Sequence, residues 1–201
     1  MSVFFNGICF SVFPEVYEPA EDSLLLARYS ALARGSVLDV GTGCGIQAII
    51  AAKSAKVSEV VGADINARAI ENAEENASAN GARCNFSVSD LFERIHGNFD
   101  TIIFNPPYLP TLAEEITRAP LDFAWNGGEN GRKVIDAFLR SFPAHLARDG
   151  KLLLLHSSLA DTQKTIEILS EKKFRARILE EKNIGFEKLS VIEAARASGR
   201  D

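Results

Sequence analysis

Asp39-Val40-Gly41-Thr42-Gly43-Cys44-Gly45 is the stretch that decides how this chain folds. It follows a short apolar run, Ser36 to Val40, and precedes an alanine- and isoleucine-rich segment, Ile46 to Ser54. A strand that breaks at alternate glycines and passes into a helix is a βα turn, in which the backbone bends sharply and approaches a ligand without Cβ interference. The dinucleotide fingerprint is GxGxxG, whereas the spacing here is GxGxG with an acid two residues ahead of the first glycine. A pyrophosphate seeks a helix N-terminus away from carboxylates. Asp39 would repel it and would suit the ammonium of an amino acid.

Outward from this turn the chain alternates between strand-like and helix-like runs. Downstream come a strand at 59–63, a helix at 67–79, and strands at 84–88 and 100–104. An amphipathic helix at 132–145, a strand at 151–155 and a helix at 161–171 follow. Two last strands, 174–179 and 186–193, flank a turn near Asn183-Gly185. Upstream, Asn6-Gly7 between two apolar runs marks a tight hairpin turn. Pro19, Glu21 and Asp22 open a helix over 20–33. Alternation at this spacing predicts a parallel α/β sheet with helices on both faces and an antiparallel hairpin at one edge. The one long stretch read as unstructured, Tyr108 to Gly131, falls where loops overhang the carboxyl ends of the strands, so it is a functional candidate.

The 201 residues suit a single domain, with 1–35 packing as hairpin and helix on a core of 36–201. A net charge of -5 argues against a protein that grips free nucleic acid alone. Cys9, Cys44 and Cys84 are odd in number, far apart and without a CxxC, which points to reduced thiols and the cytoplasm. The apolar N-terminus has no basic leader and is broken at Asn6-Gly7, so it is not a signal peptide. No apolar run reaches 18 residues, and no membrane contact is expected. His96, His145 and His156 lack the spacing of a metal site or a triad, so no metal is expected.

Two further acids stand at strand ends. Asp64 closes VVGAD 23 residues after Gly41, where an acid accepts from ribose hydroxyls. Asp90 in SVSDLF can meet an adenine amino group with Leu91 beside the ring, although a helix N-cap is a rival role for it. The ligand these acids describe has a cationic amino-acid end, a ribose and an adenine. The next strand runs into Asn105-Pro106-Pro107-Tyr108. The prolines donate no hydrogen bonds and hold Asn105 extended. Two acceptors result, the Asn105 amide oxygen and the Pro106 carbonyl, and they match the two donors of an NH2 group on a planar carbon. Such a nitrogen is a poor nucleophile, so fixing both hydrogens to aim its lone pair is itself catalysis. Tyr108 would stack on the flat acceptor.

DVGTGCG, the two strand-end acids and NPPY resemble the class I S-adenosylmethionine-dependent N-methyltransferases. VYEPAEDSLLL (16–26) and AWNGGENGRKVID (124–136) narrow the resemblance to the glutamine-N5 methyltransferases of translation release factors, of the eukaryotic and archaeal type. The likeness covers roughly Val16 to Glu193. It implies a Rossmann-like fold with a seven-stranded, mostly parallel sheet. It also implies methyl transfer from S-adenosylmethionine to the glutamine of the Gly-Gly-Gln motif in a class I peptide chain release factor. By matching motif, Asp39 and Gly41 would meet the methionine part of the cofactor, Asp64 the ribose, and Asp90 and Leu91 the adenine, with Gly43 also binding the cofactor. Asn105, Pro106, Pro107 and Tyr108 would hold the substrate glutamine, with Asn105 also beside the cofactor. Ser23 stands where the family has Thr and keeps its hydroxyl for the cofactor. Asp39 replaces a frequent Glu. The helical domain that precedes the bacterial enzymes is not expected, and a small zinc-binding activator subunit is. An adenine-N6 methyltransferase on DNA or RNA is the alternative, because NPPY serves that acceptor too. A catalytically silent binding subunit is the lesser one.

Overall fold

The structure, a computed structural model, describes residues 1–112 and 120–197. Strands β1 (Ser2–Phe5) and β2 (Ile8–Ser11) form the N-terminal hairpin. Asn6 and Gly7 both take positive φ, 48° and 78°, as a two-residue turn matched to strand twist requires. Helix α1 spans Glu21–Ser30. Then come β3 (Gly35–Val40), α2 (Ile46–Ala52), β4 (Val57–Asp64), α3 (Ala67–Ala79), β5 (Asn85–Val88) and β6 (Phe99–Phe104). Helix α4 (Lys133–Ser141), β7 (Leu146–Ser157), α5 (Thr162–Glu171), β8 (Phe174–Ile184) and β9 (Glu187–Arg196) complete the chain.

Seven strands pair in the order β5-β4-β3-β6-β7-β9-β8. The links from β5 through β7 are parallel, and β9 runs against both of its neighbours. Successive residues of the central strands enter opposite faces. Leu152 and Leu154 of β7 join one apolar cluster with Leu38, Ile102, Phe104 and the α4 residues Ile135 and Phe138. Leu153 and Leu155 join the other, with Val37, Ile103 and the α1 residues Leu25 and Leu26. Burial on both faces explains why these strands read as unbroken apolar runs. The hairpin lies apart from this sheet. Its Phe10 packs in a third cluster with Ile46, Ile49 and Ala69, and buried Asn72 and Asn76 of α3 bond its backbone at Phe13 N, Ser11 N and Ser11 O.

Three sequence expectations shift. The helix expected over 132–145 stops at Ser141 and tightens into a short 3-10 turn, Phe142–Ala144, because Pro143 has no N–H and its ring blocks the preceding turn. Phe186, expected in the last strand, sits with Gly185 in the β8–β9 turn and is 90 % exposed. The stretch read as unstructured from Tyr108 to Gly131 has two paired arms. Leu109 N donates to Trp125 O at 3.1 Å, Gly127 N to Leu109 O at 2.9 Å and Thr111 N to Gly128 O at 3.0 Å, with a 3-10 turn at Pro120–Ala124. The middle of that stretch lies outside the described residues. Among those described, no helix is long and apolar enough to cross a membrane.

Candidate active site

The sheet order places the switch point at β3, whose two neighbours β4 and β6 are reached by connections that leave in opposite directions. Ligands in such sheets bind outside the carboxyl ends of the strands at that point. A cleft of about 470 Å³ opens there, within the range of small-molecule sites. It is lined by the glycine turn after β3, Asp64 at the end of β4, Asp90 and Leu91 after β5, and Asn105 to Tyr108 after β6.

Gly41, Gly43 and Gly45 have φ of 64°, 56° and 87°, a run that L side chains rarely adopt. The turn is pinned by Thr42 N donating to Ala63 O at 2.9 Å, and by Gly43 N donating to Asp64 Oδ2 at 2.9 Å. Asp64 Oδ1 accepts from Asn66 N at 2.9 Å. Each carboxylate oxygen has a second lone pair, so Asp64 keeps acceptors for a diol. Burial pushes its carboxyl above the ordinary range, opposed by these backbone donors.

Asp39 takes another place. It is fully buried and does not line the cleft. Its Oδ2 accepts from Thr42 Oγ1 at 2.6 Å and Ala48 N at 3.1 Å, which ties the turn to α2, and its Oδ1 has no partner. Burial pushes its pKa up to about 7, against the pull of those two donors and with a smaller push from Asp64. Asp90 is exposed at the far end of the cleft, and Leu91, half-buried, has φ 46°. The cap of the following turn is Ser89, whose Oγ accepts from Arg94 N at 3.0 Å, so the Asp90 carboxylate is not spent on capping.

At the other end, Asn105 Nδ2 donates to Asp22 Oδ2 at 3.0 Å and to Ser23 Oγ at 3.3 Å. Asn105 Oδ1 is buried without a partner. Pro106 is buried, and among the described residues none donates to its carbonyl. Tyr108 packs against the clusters on both faces of the sheet, and burial raises its phenol well above the usual range, with Asp22 and Glu187 adding to the rise. Ser23 lines the cleft, but its hydroxyl lies between Asp22 and Asn105. Asp22 is the site residue that sequence reasoning missed. It stands in the first turn of α1, where an acid reads as a helix-dipole partner, and nothing local announces a contact 83 residues away. Tyr17 and Trp125 also line the cleft. The histidines do not: His96 is exposed, His145 stacks on Phe92 at 4.5 Å, and His156 is buried against Thr165 with its pKa pushed down to about 4. Among the described residues no cluster of His, Cys, Asp and Glu could hold a metal ion.

The sequence pattern of the methyltransferase small domain matches residues 20–121. A Methanocaldococcus jannaschii protein, provisionally named a protein N5-glutamine methyltransferase, is 41% identical over 98% of this chain and 100% of its own. The chain belongs to the release-factor glutamine methyltransferase family. Methyltransferase HEMK2 of Homo sapiens is 30% identical over 92% of both chains. Among solved structures, the E. cuniculi Mtq2-Trm112 complex, described as methylating the eRF1 translation termination factor, matches with a TM-score of 0.71 at 29% identity, covering 91% of this chain and 99% of that one. A T. thermophilus 16S rRNA guanine methyltransferase shares the fold, with a TM-score of 0.70 at 23% identity over 98% of this chain and 50% of its own. The two ends of the cleft differ in chemistry. The glycine turn, Asp64 and Leu91 form one end, and the tetrapeptide after β6 forms the other.

Proposed function

We propose that this enzyme transfers a methyl group from S-adenosylmethionine to the glutamine nitrogen of the Gly-Gly-Gln motif in a class I peptide chain release factor. One observation carries the reading: the buried, unpartnered Asn105 Oδ1, next in the chain to a Pro106 carbonyl to which none of the described residues donates. These are two acceptors in search of two donors, and a primary amide nitrogen has two. The cofactor fits the rest of the cleft. Gly43 leaves open space where a Cβ would stand, and Asp64 retains the lone pairs that a ribose diol needs.

S-adenosylmethionine supplies, when bound, an electrophilic methyl on a positively charged sulfur. The chain contributes orientation and electrostatics. Asn105 Oδ1 and Pro106 O hold both amide hydrogens, which turns the nitrogen lone pair out of that plane toward the methyl. Tyr108, which lines the cleft, offers its ring for the flat amide. Asn105 Oδ1 and the Pro106 carbonyl would set two oxygen dipoles beside the nitrogen where positive charge would grow during transfer, and a preorganised polar site stabilises such charge at small reorganisation cost. The nitrogen then sheds one proton to solvent. No strong base is required.

The reading includes a small zinc-binding activator subunit, supported by the E. cuniculi relative having been solved as a complex with a second protein, Trm112. It also includes action in the cytoplasm, where three free thiols remain reduced. The test is transfer of labelled methyl to recombinant release factor, with and without Gln→Asn in Gly-Gly-Gln. The expected result is label lost in that variant, and label retained there rejects the acceptor. Label in an oligonucleotide would move the assignment to the adenine-N6 alternative.

A further inference from the structure

The Asn105 amide can sit in its pocket in two orientations of nearly identical shape, and only one presents an acceptor to the cleft. The structure contains the group that chooses. Asp22, 5 % exposed, lines the cleft beside Asn105 and accepts from its Nδ2. Its Oδ1 accepts from Ser23 N at 2.6 Å and Ser23 Oγ at 3.2 Å, and the Tyr17 hydroxyl reaches both of its oxygens at 3.3 Å. Asp22 Oδ2 keeps a lone pair for Asn105, and a carboxylate oxygen accepts there. The Asn105 NH2 must therefore face Asp22, and its second hydrogen goes to Ser23 Oγ. Both donors of the amide are used, and Oδ1 is left buried without a partner in a residue that lines the cleft.

We propose that Asp22 is a positioning residue for methyl transfer: by holding the Asn105 NH2, it fixes the Asn105 oxygen toward the acceptor nitrogen. The proposal rests on the acceptor reading given above. It assigns a role to the last of the three acids in the EPAEDS segment. A negative group behind the amide also polarises it, and this strengthens Oδ1 as an acceptor when charge develops on the nitrogen.

The two side chains make a reciprocal swap informative. In Asp22→Asn, the new amide keeps its oxygen on Ser23 N and turns its NH2 toward Asn105. Donor then meets donor, so Asn105 flips and offers NH2 to the cleft. In Asn105→Asp, two carboxyls stand about 3 Å apart and cannot both ionise freely. In the double variant, the amide now at position 22 donates to the carboxylate now at position 105, and an acceptor faces the cleft again. Each single variant should lower kcat on the order of 10²-fold, with the cofactor Kd from calorimetry changed less than about 3-fold, a result that also shows the variant is folded. The double variant should regain at least about 10-fold over either single one. Losses that multiply in the double variant, or an Asp22→Asn enzyme with unchanged kcat, overturn the proposal. A second readout is independent of any acceptor. The Asn105 side-chain NH2 should exchange slowly with solvent in the ¹⁵N spectrum of the native enzyme and rapidly in Asp22→Ala; equal exchange in both would reject it. If native enzyme fails to label release factor while this spectral difference holds, the acceptor assignment fails and the positioning role stands.

Discussion

Gly43 N donates to Asp64 Oδ2 at 2.9 Å, so the tip of the glycine turn is tied to the tip of β4 by the same carboxylate that faces the cleft. Loss of that carboxylate removes an acceptor for the cofactor and also frees the turn. Asp64→Ala should therefore weaken S-adenosylmethionine binding by about 10- to 100-fold, the value of one or two hydrogen bonds to a charged group, with kcat at saturation changed only a few-fold. Asn105→Ala should behave inversely, with kcat down roughly 10²- to 10³-fold and the cofactor Kd nearly unchanged. Calorimetry beside saturation kinetics separates the two, and equal effects of both variants on both quantities would contradict this division of labour.

Two glycines of one turn should fail in different ways. A Cβ on Gly43 meets nothing within 4 Å, whereas one on Gly45 stands 3.1 Å from the Ala73 Cβ with φ at 87°. Gly43→Ala is expected to cost about 1–2 kcal/mol for its positive φ, and to lower cofactor affinity by more than that cost suggests, because the methyl enters the ligand's space. Gly45→Ala should chiefly lower Tm. A Gly43→Ala enzyme that binds cofactor normally would refute the placement.

Asp39 makes stability depend on pH. Burial raises its carboxyl from 3.8 to about 7, so between these values the unfolded chain has released a proton that the folded chain retains. The folded state then binds more protons, and stability falls as pH rises from about 4 to 7. Asp39→Asn keeps an oxygen for Ala48 N and removes the titration. The Tm of the variant should decline less than that of the native enzyme across this window, while the raised carboxyl of Asp64 leaves a residual slope in both. Parallel Tm curves would mean that Asp39 is not the group responsible.

Asn76 fastens three parts of the chain at once. Its Oδ1 accepts from Ser11 N at 2.8 Å, and its Nδ2 donates to Ser11 O and to Cys44 O at 2.8 Å each. Asn76→Ala removes all three bonds, the one to Cys44 O fully buried, and should cost about 2–3 kcal/mol, which lowers Tm by roughly 5–10 °C in a domain of this size. Asn80→Ala, which removes a more exposed bond to Cys9 O, should cost under about 1 kcal/mol. Similar losses in a thermal melt would show that the hairpin is not anchored through Asn76.

How much of this was legible beforehand follows from the range of each interaction. The alternation of β3 to β7 with α2 and α3 was readable because apolar runs and glycine turns are local signals. The boundaries that moved did so for local reasons weighed too lightly: Pro143 stops α4, and the Gly185-Phe186 pair takes the turn one step later than expected. The paired arms of 109–111 and 125–128 left no periodic trace, since a few backbone bonds between irregular segments impose no pattern on side chains.

The sequence by itself determined the parallel sheet and the family, because strand period, glycine spacing and the NPPY tetrapeptide are each local patterns. Only the tertiary structure decided that Asp39 lies beneath the glycine turn, outside the lining of the cleft, and that Asp22 accepts from the Asn105 amide. The reason is physical: which atom of an amide faces a ligand depends on the donor or acceptor behind it, and here that partner arrives from a helix 83 residues earlier in the chain.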